Sequence, residues 1–174
     1  LDETKTNLKI RGNSFYSIVY GPSWLEAEGN ANKLGGHLVT INDSDENNWI
    51  IETFKDKFVE EINNNRLYIG LNDAENEGQY KWISGELSDF RSYYPGTNEP
   101  GAELPEIDYH EFAMTDSYNR PGWNDIPNNH LEVFGTWNAI SGLAEIPFIR
   151  RNDSAYVIVE GPTWEEAEAN AVTL

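Results

Sequence analysis

The sequence predicts an α+β fold with loop-rich antiparallel sheets. Two stretches with helical periodicity, residues 23–34 and about 44–60, lie in the first third of the chain. Beyond residue 65 the pattern changes to short aromatic-rich strands joined by long polar connections. Two helices that lead into a loop-rich antiparallel sheet are typical of the α+β class.

A cap, an apolar face and a closing turn predict the first helix. Residues 16–20 alternate as in a strand and end at the turn signal Gly21-Pro22. Ser23 and Glu26 then form a capping-box pattern. One helical face carries four apolar side chains: Trp24, Ala27, Ala31 and Leu34. The helix is therefore expected over residues 23–34, before two glycines.

A second helix is predicted after the short apolar strand "HLVTI". Asp43 and Glu46 repeat the cap pattern. Four apolar residues then recur at helical spacing: Trp49, Ile50, Phe54 and Phe58. Six later segments are predicted as strands: "RLYIGLND", "YKWISG", "YHEFAM", "GWNDI", "HLEVFG" and "IPFIRR". Residues 84–107, rich in proline and glycine, are too long for a bare connector, and such segments are either functional or disordered.

An internal repeat predicts the domain organisation. Residues 11–34, "RGNSFYSIVYGPSWLEAEGNANKL", return 140 positions later as "RNDSAYVIVEGPTWEEAEANAVTL" at 151–174. The identical pairs include Arg11/Arg151, Tyr16/Tyr156, Gly21/Gly161, Pro22/Pro162, Trp24/Trp164, Glu26/Glu166, Ala27/Ala167 and Leu34/Leu174. Agreement at a fixed offset indicates tandem duplication. We expect a linker or the tail of a preceding module at 1–10, one module at 11–150, and the strand and helix of a next copy at 151–174.

The second copy carries an apolar helical face without the rest of its own module. That face consists of Trp164, Ala167, Ala171 and Leu174. Because residues 155–174 nearly duplicate residues 15–34, they could take that unit's place in another molecule. The sequence therefore predicts a possible homodimer formed by swapping of residues 155–174.

Charge and composition exclude several classes of partner. Twelve lysines and arginines stand against 30 acids, and a net charge of -18 disfavours nucleic acid and anionic membranes. The acid excess suits hard cations, although solubility also explains surface acids. The absence of cysteine excludes disulfides and thiol chemistry. No apolar run approaches the roughly 20 residues that span a bilayer.

The sequence offers no catalytic pattern. Its three histidines are His37, His110 and His130, and neither "HExxH" nor "GxSxG" occurs. No glycine-rich phosphate loop follows a strand, and nothing singles out a pair of carboxylates. We therefore predict a binding or structural module rather than an enzyme.

Several motifs together resemble the C-type lectin-like domain over residues 14–146. They are, in order, "WLEAEGNA", "LGGHLVTI", the acid-led second helix, "YIGLND" with "EGQYKWISGE", "NEPG" and "WNDIP". The resemblance implies a compact extracellular domain whose long loops form a calcium-dependent pole, often for sugars. The family's cysteine positions correspond to Ala31 with Ala144 and to Tyr109 with Asn128, which points to a cysteine-free, bacterial branch.

The resemblance implies two groups of calcium ligands. Asp73, Glu77 and Asp108 match an auxiliary site, for which the alternative is a solvated acidic loop. Glu99, Asn124 and Asp125 match the sugar-binding site. Asparagine can give its carbonyl oxygen to the ion and its NH2 to a sugar hydroxyl, while a carboxylate shares its two oxygens.

The chain departs from the family at the second group. Sugar-binding members carry Glu-Pro-Asn or Gln-Pro-Asp where this chain has Glu99-Pro100-Gly101, so one ligand is missing and no sugar preference follows. A further family acid falls at Ile107, with Glu106 or Glu103 as substitutes. We expect a secreted or cell-surface repeat protein in adhesion or recognition that binds Ca²⁺ and carbohydrate. A protein-binding or spacer module is the alternative.

Aromatic residues near the expected site have competing interpretations. Trp123 is expected in the core beneath the loops rather than against a ligand. Tyr93 and Tyr94 are candidates for stacking on sugar rings or a protein surface. They can equally replace a core tryptophan of the family. Because Asn124 and Asp125 would alternate along a regular strand, their joint use predicts that the backbone leaves strand geometry there.

Overall fold

The computed structural model describes residues 8–55, 66–93, 109–115, 120–126, 128 and 141–174. It confirms the α+β class. Three helices lie in the described ranges: α1 (Trp24–Lys33), α2 (Ser44–Phe54) and α3 (Trp164–Thr173). None of them is long and apolar enough to cross a membrane. The predicted strand "HLEVFG" at 130–135 lies outside the described residues.

Ten strands accompany the helices in the described part of the chain. They are β1 (Lys9–Arg11), β2 (Ser14–Tyr20), β3 (His37–Leu38), β4 (Arg66–Asn72), β5 (Lys81–Trp82), β6 (Tyr109–Thr115), β7 (Arg120–Ile126), β8 (Ser141–Pro147), β9 (Ile149–Arg151) and β10 (Ser154–Tyr156). Eight of them form one sheet with the path β1-β2-β8-β4-β6-β7, in which β3 also pairs with β8 and β5 with β4. Strands β9 and β10 form a separate hairpin.

Strands β2 and β8, which lie far apart in the sequence, pair with each other in the sheet. β2 pairs with β8 in antiparallel register from Ser14 opposite Pro147 to Tyr20 opposite Ser141. The sequence predicts antiparallel sheets, but β8 pairs with β4 in parallel orientation through Tyr68 and Gly142. The sheet is therefore mixed. The remaining neighbours β4, β6 and β7 are antiparallel. Strands β4, β6 and β7 therefore form the part of the sheet that lies beyond β8.

The capping residues and apolar face predicted for α1 are confirmed. Ser23 is the N-cap, and its side chain accepts a hydrogen bond from the Glu26 amide at 3.3 Å. The four predicted apolar residues are all buried. The Trp24 indole also donates to the carbonyl oxygen of Ile69 at 2.7 Å, which fastens the start of α1 to strand β4.

The start of α2 also agrees with the sequence. Asp43 caps it by accepting from the Glu46 amide at 2.8 Å, and Ile50 and Phe54 are buried. Glu46 is itself buried and accepts a hydrogen bond from the Tyr16 hydroxyl at 2.6 Å, so helix α2 is tied to β2. The helix ends at Phe54 among the described residues, and predicted residues 56–60, with Phe58, lie outside them.

Two apolar clusters form the core. The first contains the buried face of α1, and it also includes Ala144 of β8. Ala31 and Ala144, the pair matched to family cysteine positions, are therefore both packed inside one cluster. The second cluster contains Ile50 and Phe54 of α2 with Trp82 and Trp123. Trp123 lies beneath the end of the sheet that holds the candidate site.

Candidate functional site

Three strand ends meet at one edge of the sheet. Tyr109, the first residue of β6, is paired with Asn72 at the end of β4 and with Ile126 at the end of β7. Asp73 directly follows Asn72, and Asp125 directly precedes Ile126. The register therefore brings two acids that are 52 positions apart in sequence to the same edge. We call this edge the loop pole.

Asp73 is the most constrained acid at the loop pole. Its residue is only 1% exposed. Oδ2 accepts a hydrogen bond from the Gly78 amide at 2.8 Å, across a turn in which Gly78 has a φ of 75°. Oδ1 is buried and has no hydrogen-bond partner among the described residues. A solvated acidic loop, the alternative raised from the sequence, does not describe this side chain.

Asp125 is the second buried acid, at 6% exposure. Its charge and that of Asp73 act on the same two tyrosines. Burial raises the pKa of Tyr80, and the negative charges of Asp73 and Asp125 raise it further. Burial also raises the pKa of Tyr93; the nearby Arg91 lowers it, and the same two aspartates raise it. The two carboxylates therefore share one electrostatic neighbourhood.

Glu77 and Asn124 complete the described part of the predicted site. Glu77 is exposed, and its charge contributes to the raised pKa of Tyr80, so it faces the same neighbourhood. Asn124 is half-buried, and its Nδ2 donates to the backbone carbonyl oxygen of Asp125 at 3.2 Å. Glu99, Glu106, Asp108 and Tyr94 lie outside the described residues.

The prediction that the backbone leaves strand geometry at Asn124 and Asp125 is wrong. β7 continues to Ile126 and keeps an unbroken register with β6. Asn124 and Asp125 therefore point to opposite faces, and Asp125 shares its face with Trp123. The reason is that the pairing with β6 extends to Tyr109, so the ladder holds the backbone extended through both residues.

The core interpretation of Trp123 is confirmed. The residue is 0% exposed, and its indole donates to Asn47 Oδ1 at 3.2 Å. The half-buried Tyr93 packs edge-on against Trp123 with ring centroids 6.1 Å apart. Of the two interpretations of Tyr93, this contact favours a core position beneath the pole over a ligand-stacking platform.

The sequence analysis did not single out Tyr80 or Arg91. Tyr80 stands between the acidic turn and strand β5, and its pKa records the charges of both aspartates. Arg91 lies over the Trp82 ring at 5.7 Å and donates to the carbonyl oxygen of Phe90 at 2.7 Å. The available sequence signal for Arg91 was a cationic residue set among the aromatic residues Phe90, Tyr93 and Tyr94.

The donors at the loop pole fit a hard cation. Ca²⁺ takes carboxylate, amide and carbonyl oxygens, and the described donors are of these kinds. The buried Oδ1 of Asp73 is the observation that supports the fit, because a buried charged oxygen needs a partner. Within the described ranges no group of three or more His, Asp or Glu side chains is arranged to hold a metal.

Known proteins resemble this chain in sequence. The family described as Lectin C-type domain matches residues 21–134. Lectin BRA-3 from Megabalanus rosa is 36% identical over 89 residues, covering 50% of this chain and 49% of that lectin. C-type lectin domain family 4 member D from Homo sapiens is 27% identical over 120 residues, covering 69% of this chain and 51% of the relative. The chain thus spans about half the length of these two relatives.

Solved structures share the fold. The C-type lectin domain of murine dendritic cell inhibitory receptor 2, in complex with N-glycan, aligns with a TM-score of 0.62 at 21% identity, covering 81% of this chain and 96% of that one. A calcium-independent type II antifreeze protein aligns with a TM-score of 0.59 at 18% identity, covering 81% and 92%. The same architecture therefore occurs with a bound glycan and without calcium dependence.

Proposed function

Because this chain belongs to the C-type lectin domain family, we propose that it binds carbohydrate with a calcium ion held at the loop pole. The family consists of binding proteins rather than enzymes, in agreement with the prediction that the chain is not an enzyme. The observation that carries the proposal is the buried Oδ1 of Asp73, which has no hydrogen-bond partner among the described residues.

Electrostatics at the loop pole supports a bound cation. A buried carboxylate without a counter-charge is unfavourable by several kcal/mol, roughly, after the protein has relaxed. Here Asp73 is buried, and its Oδ1 has no hydrogen-bond partner among the described residues. A cation beside Oδ1 offsets the negative charge of this carboxylate, whereas a neutral hydrogen-bond donor does not. The pole is therefore better satisfied with Ca²⁺ than with water alone.

We propose that Asp73, Glu77 and Asp108 hold one ion and that Glu99, Asn124, Asp125 and Glu106 belong to a second calcium site, at which the sugar binds. Because Asn124 and Asp125 point to opposite faces of β7, Asn124 is the one of the two that reaches both ion and sugar. Asn124 has one donor group and one acceptor group, so it can contact an ion and a hydroxyl together. When bound, calcium supplies a positive centre that paired sugar hydroxyls can coordinate. Trp123 and Tyr93 pack against each other in the second core cluster, and Trp123 directly precedes Asn124 and Asp125 on β7. Tyr94 remains the candidate for contact with the sugar ring.

Calcium-dependent retention on a panel of immobilised glycans tests the proposal. The wild-type chain is expected to bind in millimolar calcium and to elute with chelator. Asn124→Ala with Asp125→Ala should abolish retention, because the double variant removes the amide proposed to bridge ion and sugar and the neighbouring buried carboxylate. Asp153→Ala, an exposed acid in the β9–β10 turn, should bind as wild type does.

A protein-binding or spacer module is the second candidate function. The calcium-independent antifreeze protein with this fold favours it, as does Gly101 in place of a ligating side chain. Retention that neither chelator nor the double variant changes would support this candidate and reject the sugar site.

The wider context rests on the repeat. We propose that residues 11–150 form one module of a secreted or cell-surface repeat protein, and that residues 151–174 begin the next copy. A role in adhesion or recognition suits such an array. Homodimer formation by swapping of residues 155–174, and a bacterial source, stay predictions.

A further inference from the structure

Residues 149–156 reproduce the hairpin at the start of the module. Arg151 pairs with Ser154 as Arg11 pairs with Ser14, so the register repeats at an offset of 140. The turn also repeats, because Asn152 has a φ of 54° where Gly12 has 59°. Asn152 is a residue type that tolerates this left-handed region. The second copy therefore shares backbone geometry with the first, as well as sequence.

The turn and helix that follow are also reproduced. A Cβ on Gly21 would lie 2.3 Å from the Ala27 amide nitrogen, and a Cβ on Gly161 would lie 2.3 Å from that of Ala167. Thr163 caps α3 by accepting from the Glu166 amide at 3.2 Å. Residues 151–174 are thus folded as the opening strand and helix of a module.

This second unit rests on the first module. The Glu160 amide donates to the carbonyl oxygen of Lys33, the last residue of α1, at 3.3 Å. A Cβ on Gly35 would lie 1.7 Å from the carbonyl oxygen of Ile158. Gly35 also has a φ of 83°, so glycine is required there by both its conformation and the approach of the next unit.

Apolar packing accompanies these backbone contacts. Val157 and Leu174 are partly buried against the first core cluster, which includes Leu34 at the end of α1. Leu8, which directly precedes β1, packs against the same cluster. The neighbouring Ile158 instead points its side chain to solvent, with 82% of the residue exposed. One side of residues 157–160 therefore packs against the first module.

We propose that the module carries a docking surface for the next repeat, formed by Leu8, Lys33, Leu34 and Gly35. Its occupant is the opening unit of the following copy, residues 151–174, which is held by Val157 and by the Glu160 amide. Consecutive modules are then joined in a fixed orientation instead of swinging on a flexible linker. This inference is independent of the proposed sugar binding.

Part of the apolar face of α3 stays exposed in this arrangement, although Leu174 of the same face packs against the first core cluster. Trp164 is 75% exposed, whereas its equivalent Trp24 is 1% exposed against the first module's sheet. Ala171 on the same face is exposed as well. The contacts through Val157 and Glu160 thus differ from those that α3 would make inside its own module.

Backbone ¹⁵N relaxation of the whole chain tests the docking. In the wild type, amides of residues 157–173 should show order parameters near about 0.85, like those of the module. Val157→Asp should lower them below about 0.6, because an undocked helix of ten residues is marginal in water. Ile158→Asp, the same change on the exposed neighbour, should leave them unchanged.

Several outcomes would overturn the inference. Wild-type order parameters below about 0.6 over residues 157–173 would show a free linker. Equal responses to Val157→Asp and Ile158→Asp would show that Val157 makes no specific contact. A dimeric mass by light scattering on the same samples, lost after Trp164→Ala, would favour exchange between molecules. Unchanged resonances for α2 (Ser44–Phe54) in both variants would establish that the module itself stays folded, whereas those of Lys33, Leu34 and Gly35 should change in Val157→Asp alone.

Discussion

Replacing Trp24 by alanine is expected to lower the free energy of unfolding by about 3–5 kcal/mol, the usual cost of truncating a buried tryptophan. Trp24 lies at the start of α1, 1% exposed, within the first core cluster. Its indole also donates to the carbonyl oxygen of Ile69 at 2.7 Å. The change therefore leaves a cavity and a buried carbonyl oxygen without this donor. Chemical denaturation followed by circular dichroism measures the loss.

The internal repeat offers a matched control for this prediction. Trp164 occupies the same place in the second copy, after the same turn and an equivalent cap, but is 75% exposed. Trp164→Ala should change the free energy of unfolding by no more than about 0.5 kcal/mol. Equal losses for the two variants would mean that Trp164 is buried in solution, against the structure described above.

Asp73→Asn is expected to weaken calcium binding by more than about 100-fold, beyond the 10- to 100-fold effect of losing an outer-shell partner of a metal site. The substitution keeps an oxygen that can accept from the Gly78 amide, so the turn is preserved. It removes the negative charge that faces the ion. Isothermal titration with calcium measures the affinity directly.

The same variant should be at least as stable as the wild type in chelator, because a neutral amide is less unfavourable to bury than an unpaired carboxylate. Glu75→Gln provides the control from the same acidic turn. Glu75 is exposed and ion-paired with Lys81, so its loss should leave the calcium affinity within a few-fold of wild type, roughly the effect of a surface ion pair. Similar losses from both substitutions would point to general charge attraction instead of a ligand.

Local features of the fold could be read from the sequence because their causes lie within a few residues. The caps at Ser23 and Asp43 and the buried face of α1 depend on spacings of three or four positions. The pairing of β2 with β8 joins residues more than 120 positions apart, and no local pattern specifies it. The parallel contact of β4 with β8 follows from that closure and was not predicted.

The candidate site divides in the same way. Residue types and the family resemblance pointed to Asp73 and Asp125, but their burial depends on the register of β4, β6 and β7. The expected break in the strand at Asn124 was wrong, since the ladder with β6 continues to Ile126. Alternation along a strand is a local rule, whereas its extent is set by the partner strand.

Thermal unfolding of the whole chain in calcium and in chelator tests the central claim most directly. An ion held by the folded state alone stabilises it by about 2.7 kcal/mol at 100 times its dissociation constant. For a chain of this size, that corresponds to a rise in the melting midpoint of roughly 5–10 °C. We expect such a rise in millimolar calcium and its loss on adding chelator. An identical midpoint in both conditions would contradict a calcium site at the loop pole.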